Sequence, residues 1–161
     1  MKTKQLVLKI ISCVCSALLI LPLFLNFIGY RTSSGRVYYT YQQYGIMTDT
    51  LIVISRVLYI MSLVLAMILL VAIIIQLFFK HEAIDWIVIG ASILLVITAS
   101  LCFISALLYC VKVSSNGAGV ILFPAFGCYA ILFLGLATPI LALLSNRKEN
   151  NQNNKNTENK Q

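Results

Sequence analysis

The stretch "VLYIMSLVLAMILLVAIIIQLFF", residues 57–79, contains no charged side chain. It exceeds the ~20 residues that an α-helix needs to cross a hydrocarbon core about 30 Å thick. Six residues later, after "KHEAID" at 80–85, a second apolar run begins at Trp86 and continues to Val111. Two such runs joined by so short a polar link predict a tight antiparallel helical hairpin. Working outward, residues 10–28 and 120–144 repeat the same composition. Backbone amides in lipid must be satisfied within their own segment, so a single apolar run crosses as a helix. The sequence therefore predicts an all-α membrane protein, a four-transmembrane-helix antiparallel bundle with a short strand-like outer loop. The expected four-span domain is 1–145, with spans at about 6–29, 51–79, 86–112 and 119–145 and an outer loop at 30–50. Residues 146–161, "NRKENNQNNKNTENKQ", lack apolar periodicity and predict a disordered polar cytoplasmic tail.

Composition agrees. Only 11% of the 161 residues are charged and 60% are hydrophobic, whereas a soluble domain carries roughly a quarter charged residues. The net charge of +7 forms no basic stripe interleaved with aromatics, which argues against a nucleic-acid partner. Lysines and arginines instead punctuate the ends of apolar runs. Lys2, Lys4 and Lys9 precede the first apolar run at 10–28, Lys80 lies in the inner link, and Arg147, Lys148, Lys155 and Lys160 follow the fourth. The positive-inside rule then places both termini in the cytoplasm of a multi-pass plasma-membrane protein. The basic start and apolar core of the first span resemble a signal peptide. Its lipoprotein-like box, Ile10-Ile11-Ser12-Cys13, precedes the core rather than following it, so an uncleaved first helix is expected.

Residues able to do chemistry are few. His81, the single histidine, sits in a charged link without companion ligands. No acidic residue falls within a predicted span, no phosphate loop or metal cluster is evident, and no enzyme, cofactor or metal is expected. Cys13, Cys15, Cys102, Cys110 and Cys128 all fall within spans and read as small packing residues. Asp85 is expected to cap the third span, with Trp86 at the headgroup boundary. Arg56, about one and a half turns into the second span, reads as an interfacial anchor paired with Asp49 or a phosphate. Alternatively it joins Arg31, Arg36 and Lys112 in a basic outer mouth for an anionic ligand.

Within span three, Leu94, Ile97, Leu101, Ile104, Leu108 and Val111 form one bulky line. Thr98, Cys102, Ser105 and Tyr109 form a small and polar one. Small residues permit close helix approach, so the bulky line should face lipid and the polar seam the neighbouring helices. Span two offers Ser55, Tyr59, Ser62, Ala66 and Gln76. Span four offers Cys128, Gly135, Thr138 and Ala142, with Pro124 and Pro139 expected to bend it. In the outer loop, "GRVYYTYQQYG" at 35–45 alternates with the period of a strand. Tyr38, Tyr39, Tyr41 and Tyr44 are its candidate contact residues. This topology resembles that of claudin-like proteins: cytoplasmic termini, a larger first outer loop with strand character, and a tight inner hairpin. The loop lacks the tryptophans and cysteines of the claudin signature, so no functional residue carries over. The function expected is non-enzymatic: an accessory, structural or interaction protein of the lipid bilayer, contacting other membrane proteins or its own copies through its outer loop and helix faces. The alternative is a small transporter or channel subunit using the polar seam and basic mouth.

Overall fold

A computed structural model describes residues 3–32, 35–40, 49–79, 81–115 and 121–158. The elements in order are α1 (Thr3–Leu18), a 3₁₀ turn (Leu21–Leu23), β1 (Asn26–Thr32), β2 (Gly35–Thr40), α2 (Thr50–Phe78), α3 (Glu82–Ser115), β3 (Ile121–Pro124) and α4 (Phe126–Glu158). Four helical segments are long and apolar enough to cross a membrane: Thr3–Leu23, Thr50–Phe78, Glu82–Ser115 and Phe126–Asn146. They form a ring in which α2 packs on α3, α3 on α4, and α1 closes between α4 and α2. The start of α1, the α2–α3 link and the far half of α4 share one end of the bundle. A three-stranded antiparallel sheet of order β2-β1-β3 occupies the other.

The helices end where backbone chemistry stops them. Predicted span one, 6–29, is shorter as a helix than expected, because Pro22 has no amide hydrogen to offer the Leu18 carbonyl four residues earlier. The chain tightens into the 3₁₀ turn and then extends as β1. Asp49 caps α2, its side chain accepting from the Leu51 amide at 3.0 Å. Asp85 does not cap α3 as expected. The helix begins at Glu82, and the His81 imidazole accepts from the Ala83 amide at 3.2 Å. Both acids then lie in the first turn, where the helix dipole favours negative charge.

Predicted span four, 119–145, also needs correction, because Ile121–Pro124 is a strand. Pro124 therefore ends β3 and bends no helix, whereas Pro139 does lie inside α4. The tail differs as well: the helix continues through 146–158, where disorder was expected. No proline or glycine after Pro139 interrupts it. The all-α reading thus becomes a mostly helical fold with a small sheet.

In β1, Ile28 pairs with Tyr39 and Pro124, Gly29 with Tyr38 and Phe123, and Arg31 with Arg36 and Ile121. Alternation puts Ile28, Tyr30, Val37, Tyr39 and Leu122 on one face. Gly29, Arg31, Arg36, Tyr38 and Phe123 lie on the other. The first face covers an apolar cluster of Phe27, Ile28, Ile52, Tyr59, Ile131 and the small residues Ala99, Cys102, Ala106 and Cys128. A second cluster, with Leu69, Ile73, Val88 and Leu95 at its centre, fills the hairpin-end half. Two bonds from backbone amides tie the strands to their surroundings. The Ala125 amide donates to the Phe27 carbonyl at 3.0 Å, and the Leu122 amide to Ser114 Oγ at 2.9 Å. Gly29 is required in the central strand, because a Cβ there would meet Phe123 Cζ at 2.5 Å and Tyr38 Cδ1 at 3.1 Å. The two rings close edge-to-face across it at 6.0 Å.

Candidate functional site

The tyrosine-rich segment does not present a single face. Tyr38 points away from the bundle and is 43% exposed. Tyr39 points toward it and stacks on Tyr30, ring centroids 5.4 Å apart and planes 24° from parallel. The Tyr30 hydroxyl bonds that of Tyr39, which raises the Tyr30 phenol above its ordinary value. Stacked and hydrogen-bonded, these rings serve the sheet, and among the described candidates Tyr38 is the one on the outward face. Tyr41 and Tyr44 lie outside the described residues.

Basic residues gather at this end. Arg31 and Arg36 are exposed on the outward face and Arg56 is half-buried in α2. Asp49 takes its ion pair from Lys112 of α3 at 2.8 Å rather than from Arg56 as one reading expected. The Lys112 ammonium first, and the Leu51 amide second, hold the Asp49 carboxyl below its ordinary value. The pair joins the start of α2 to the last turns of α3 beneath the sheet. Tyr109 lies close enough to feel Asp49, Lys112 and Tyr39.

The polar seam assembles, and it is closed by direct bonds. Ser55 Oγ donates to the Cys102 carbonyl at 3.3 Å, and Cys102 Sγ donates back to the Ser55 carbonyl at 3.3 Å. One heptad away, Ser62 Oγ donates to Thr98 Oγ1 at 3.0 Å, and Thr98 donates to the Leu94 carbonyl of its own helix at 3.0 Å. Ser105 bonds back to the Cys102 carbonyl, and Tyr109 is buried. Leu94, Ile97, Leu101, Ile104, Leu108 and Val111 are all exposed. On α4, Gly135 packs so tightly on α3 that a Cβ would collide with that of Ala99. Ser12 of α1 donates to the Thr138 carbonyl at 3.0 Å, beside Pro139. All five cysteines are free, and Cys102, Cys110 and Cys128 are buried.

One group was not anticipated. Lys9, read from the sequence as preceding the first span, lies within α1 and is only 2% exposed. With Gln5, Ser12 and Ser16 it forms a buried stripe at helical spacing, while Leu6, Val7, Ile10, Ile11 and Val14 face outward. The signal was present in the spacing of these four polar residues. Grouping Lys9 with Lys2 and Lys4 as terminal charges concealed it. At the same end Gln76 Nε2 donates to Asp85 Oδ1 at 2.6 Å and to Asn146 Oδ1 at 3.0 Å, joining α2, α3 and α4. Ser92 Oγ, Thr138 Oγ1 and Ser145 Oγ are buried without hydrogen-bond partners. A shallow apolar groove of about 390 Å³ between α2 and α3, lined by residues such as Met67, Val71, Ile75 and Ile87, offers no polar group. Among the described residues, no three His, Cys, Asp or Glu side chains are grouped to hold a metal.

No protein-family model matches the chain, and no curated protein matches it.

Proposed function

We propose that the chain is a multi-pass plasma-membrane protein, both termini cytoplasmic, that acts without catalysis as an accessory or structural subunit. It contacts a partner, either another membrane protein or its own copy, through the outward sheet face around Tyr38 and the exposed helix faces. The observation that carries this reading is the closed seam. Ser55 with Cys102, and Ser62 with Thr98, bond directly between helices. Such bonds are worth about 0.6 kcal/mol each within membranes and act as packing contacts rather than as a water path.

Thiol labelling tests it. In a background free of native cysteines, Thr98→Cys, Ser105→Cys and Tyr109→Cys are each exposed to a membrane-impermeant reagent from the sheet side. Labelling confined to position 109 accords with a packed bundle. Labelling as deep as 98 reveals a hydrated path and removes the accessory reading.

A second reading, a small transporter or channel subunit, draws on Lys9, since ionisable side chains buried in spanning helices commonly serve transport. Reagent access to Ser92→Cys from the hairpin side, with Thr98→Cys protected, would confine water to that half and leave no through-path.

A further inference from the structure

Arg31 and Arg36 are directly opposed across the β1–β2 ladder, on the face that points away from the bundle. Directly opposed residues of an antiparallel pair have Cβ atoms about 4.5–5.5 Å apart, and like charges so placed weaken the ladder. A nearby carboxylate would relieve the repulsion, and the chain has five acidic residues to provide one. Glu82 and Asp85 lie in the first turn of α3 at the opposite end. Glu149 and Glu158 lie in the far half of α4. Asp49 alone belongs to the sheet end, and its carboxylate is held by Lys112. The segments 33–34, 41–48 and 116–120, adjacent in sequence to the strands, contain no acidic residue. Among the described residues, no carboxylate is therefore placed to serve this pair.

Two observations indicate where the anion comes from. The same face carries apolar groups: Tyr38 beside the pair, and Ile121, 61% exposed, directly opposite Arg31. A soluble anion needs only donors, whereas exposed aromatic and aliphatic groups around arginine match the mixed chemistry of a bilayer surface. The strands also rise directly from the apolar zone. β1 begins at Asn26, just beyond the Thr3–Leu23 apolar segment, and β3 ends at Pro124, just before α4 starts at Phe126. Phe24 and Phe126, both exposed, mark the upper edge of that zone. Guanidinium groups bind phosphate oxygens with two parallel N–H donors, so two adjacent arginines can grip one phosphate from two sides.

We propose that Arg31 and Arg36 together hold the phosphate of an anionic phospholipid headgroup at the membrane surface from which the sheet rises. This inference rests on the membrane-spanning reading above. The bound phosphate replaces the missing carboxylate, relieves the repulsion across the ladder, and fixes the height of the outward face at which a partner meets Tyr38.

The test uses the full chain in neutral detergent, with phosphatidylglycerol or phosphatidylcholine titrated into the micelles and thermal unfolding as the readout. Phosphatidylglycerol is expected to raise the midpoint of the parent beyond the effect of phosphatidylcholine. Arg31→Gln with Arg36→Gln should weaken the apparent phosphatidylglycerol affinity by about tenfold or more, the loss of at least one charge-assisted contact. In phosphatidylcholine alone the double variant should match or exceed the parent, because the opposed charges are gone, which also shows that it folds. Arg31→Lys with Arg36→Lys should recover only part of the affinity. An unchanged phosphatidylglycerol preference in the double glutamine variant overturns the proposal. So does an equal midpoint rise from inorganic phosphate without lipid, which would indicate a soluble anion. Alkaline carbonate extraction separates the two levels. Release from membranes without detergent defeats the membrane reading itself, whereas retention without phosphatidylglycerol preference defeats this inference alone.

Discussion

Replacing Tyr59 with phenylalanine removes one oxygen atom and tests why α1 ends where it does. Tyr59 is fully buried, and its hydroxyl donates to the Leu19 carbonyl at 3.0 Å. In a continuing helix that carbonyl would accept from the Leu23 amide. Here the Leu23 amide is committed to the Ile20 carbonyl at 3.2 Å in the 3₁₀ turn imposed by Pro22. Tyr59→Phe keeps the ring and its 6.5 Å contact with Phe27, but it strands a buried carbonyl. The cost is about 1–3 kcal/mol, which for a chain of this length lowers the unfolding midpoint by roughly 2–12 °C. Buried free thiols at Cys102, Cys110 and Cys128 supply the assay, since a thiol-reactive fluorophore reports their exposure on heating in detergent. Pro22→Ala supplies the control. It allows the helix to continue, returns the Leu23 amide to Leu19, and should shrink the Tyr59→Phe penalty. An unchanged midpoint in the parent background, or an identical penalty in the Pro22→Ala background, refutes the reasoning.

Three further outcomes are expected. Gly135→Ala should destabilise by about 1–2 kcal/mol in the same thiol assay, overpacking against Ala99 exceeding the gain in helix propensity, and Ala99→Gly in the same chain should restore the loss. Gly29→Val should force apart the Phe123 and Tyr38 rings, at a cost on the order of 1–3 kcal/mol, seen as faster hydrogen exchange of the β1 and β3 amides with helix amides unchanged. Asp49 has a folded-state pKa below its ordinary 3.8. Its contribution to stability is therefore complete above that value and lost as pH falls through the lower folded value. Asp49→Asn should flatten this acid-side slope of the unfolding midpoint, whereas an unchanged slope would remove the Lys112 pair from the account.

The sequence disclosed helices best where side-chain size alternated around them. The line from Leu94 to Val111 and its partner from Thr98 to Tyr109 could be separated by spacing alone, because close approach needs small residues whatever the solvent. Its failures have a common cause. "ILFP" at 121–124 is apolar in either conformation, and a short apolar run carries no periodicity to distinguish strand from helix. What makes it a strand is β1, far away in sequence. Pro22 was a legible stop that mean hydropathy concealed, and Lys9 was hidden among its charged neighbours. The split of Tyr38 from Tyr39 follows from strand alternation, but which of them faces outward depends on the bundle beneath. Asp49 had two cations within reach in principle, and only the placement of α3 selected Lys112.

The position of β1 at the centre of the sheet has a consequence for biogenesis. β2 follows it immediately and can pair as soon as the first hairpin leaves the ribosome. Its other edge, from Ile28 to Arg31, must wait for Ile121–Pro124, after the two helices α2 and α3 have been made. Non-local pairing of this kind is slow, and until it occurs one edge of the strand is open to other chains. Closure of that edge marks the arrival of the last helix, so a truncation before Ile121 leaves an intermediate that is adhesive along β1.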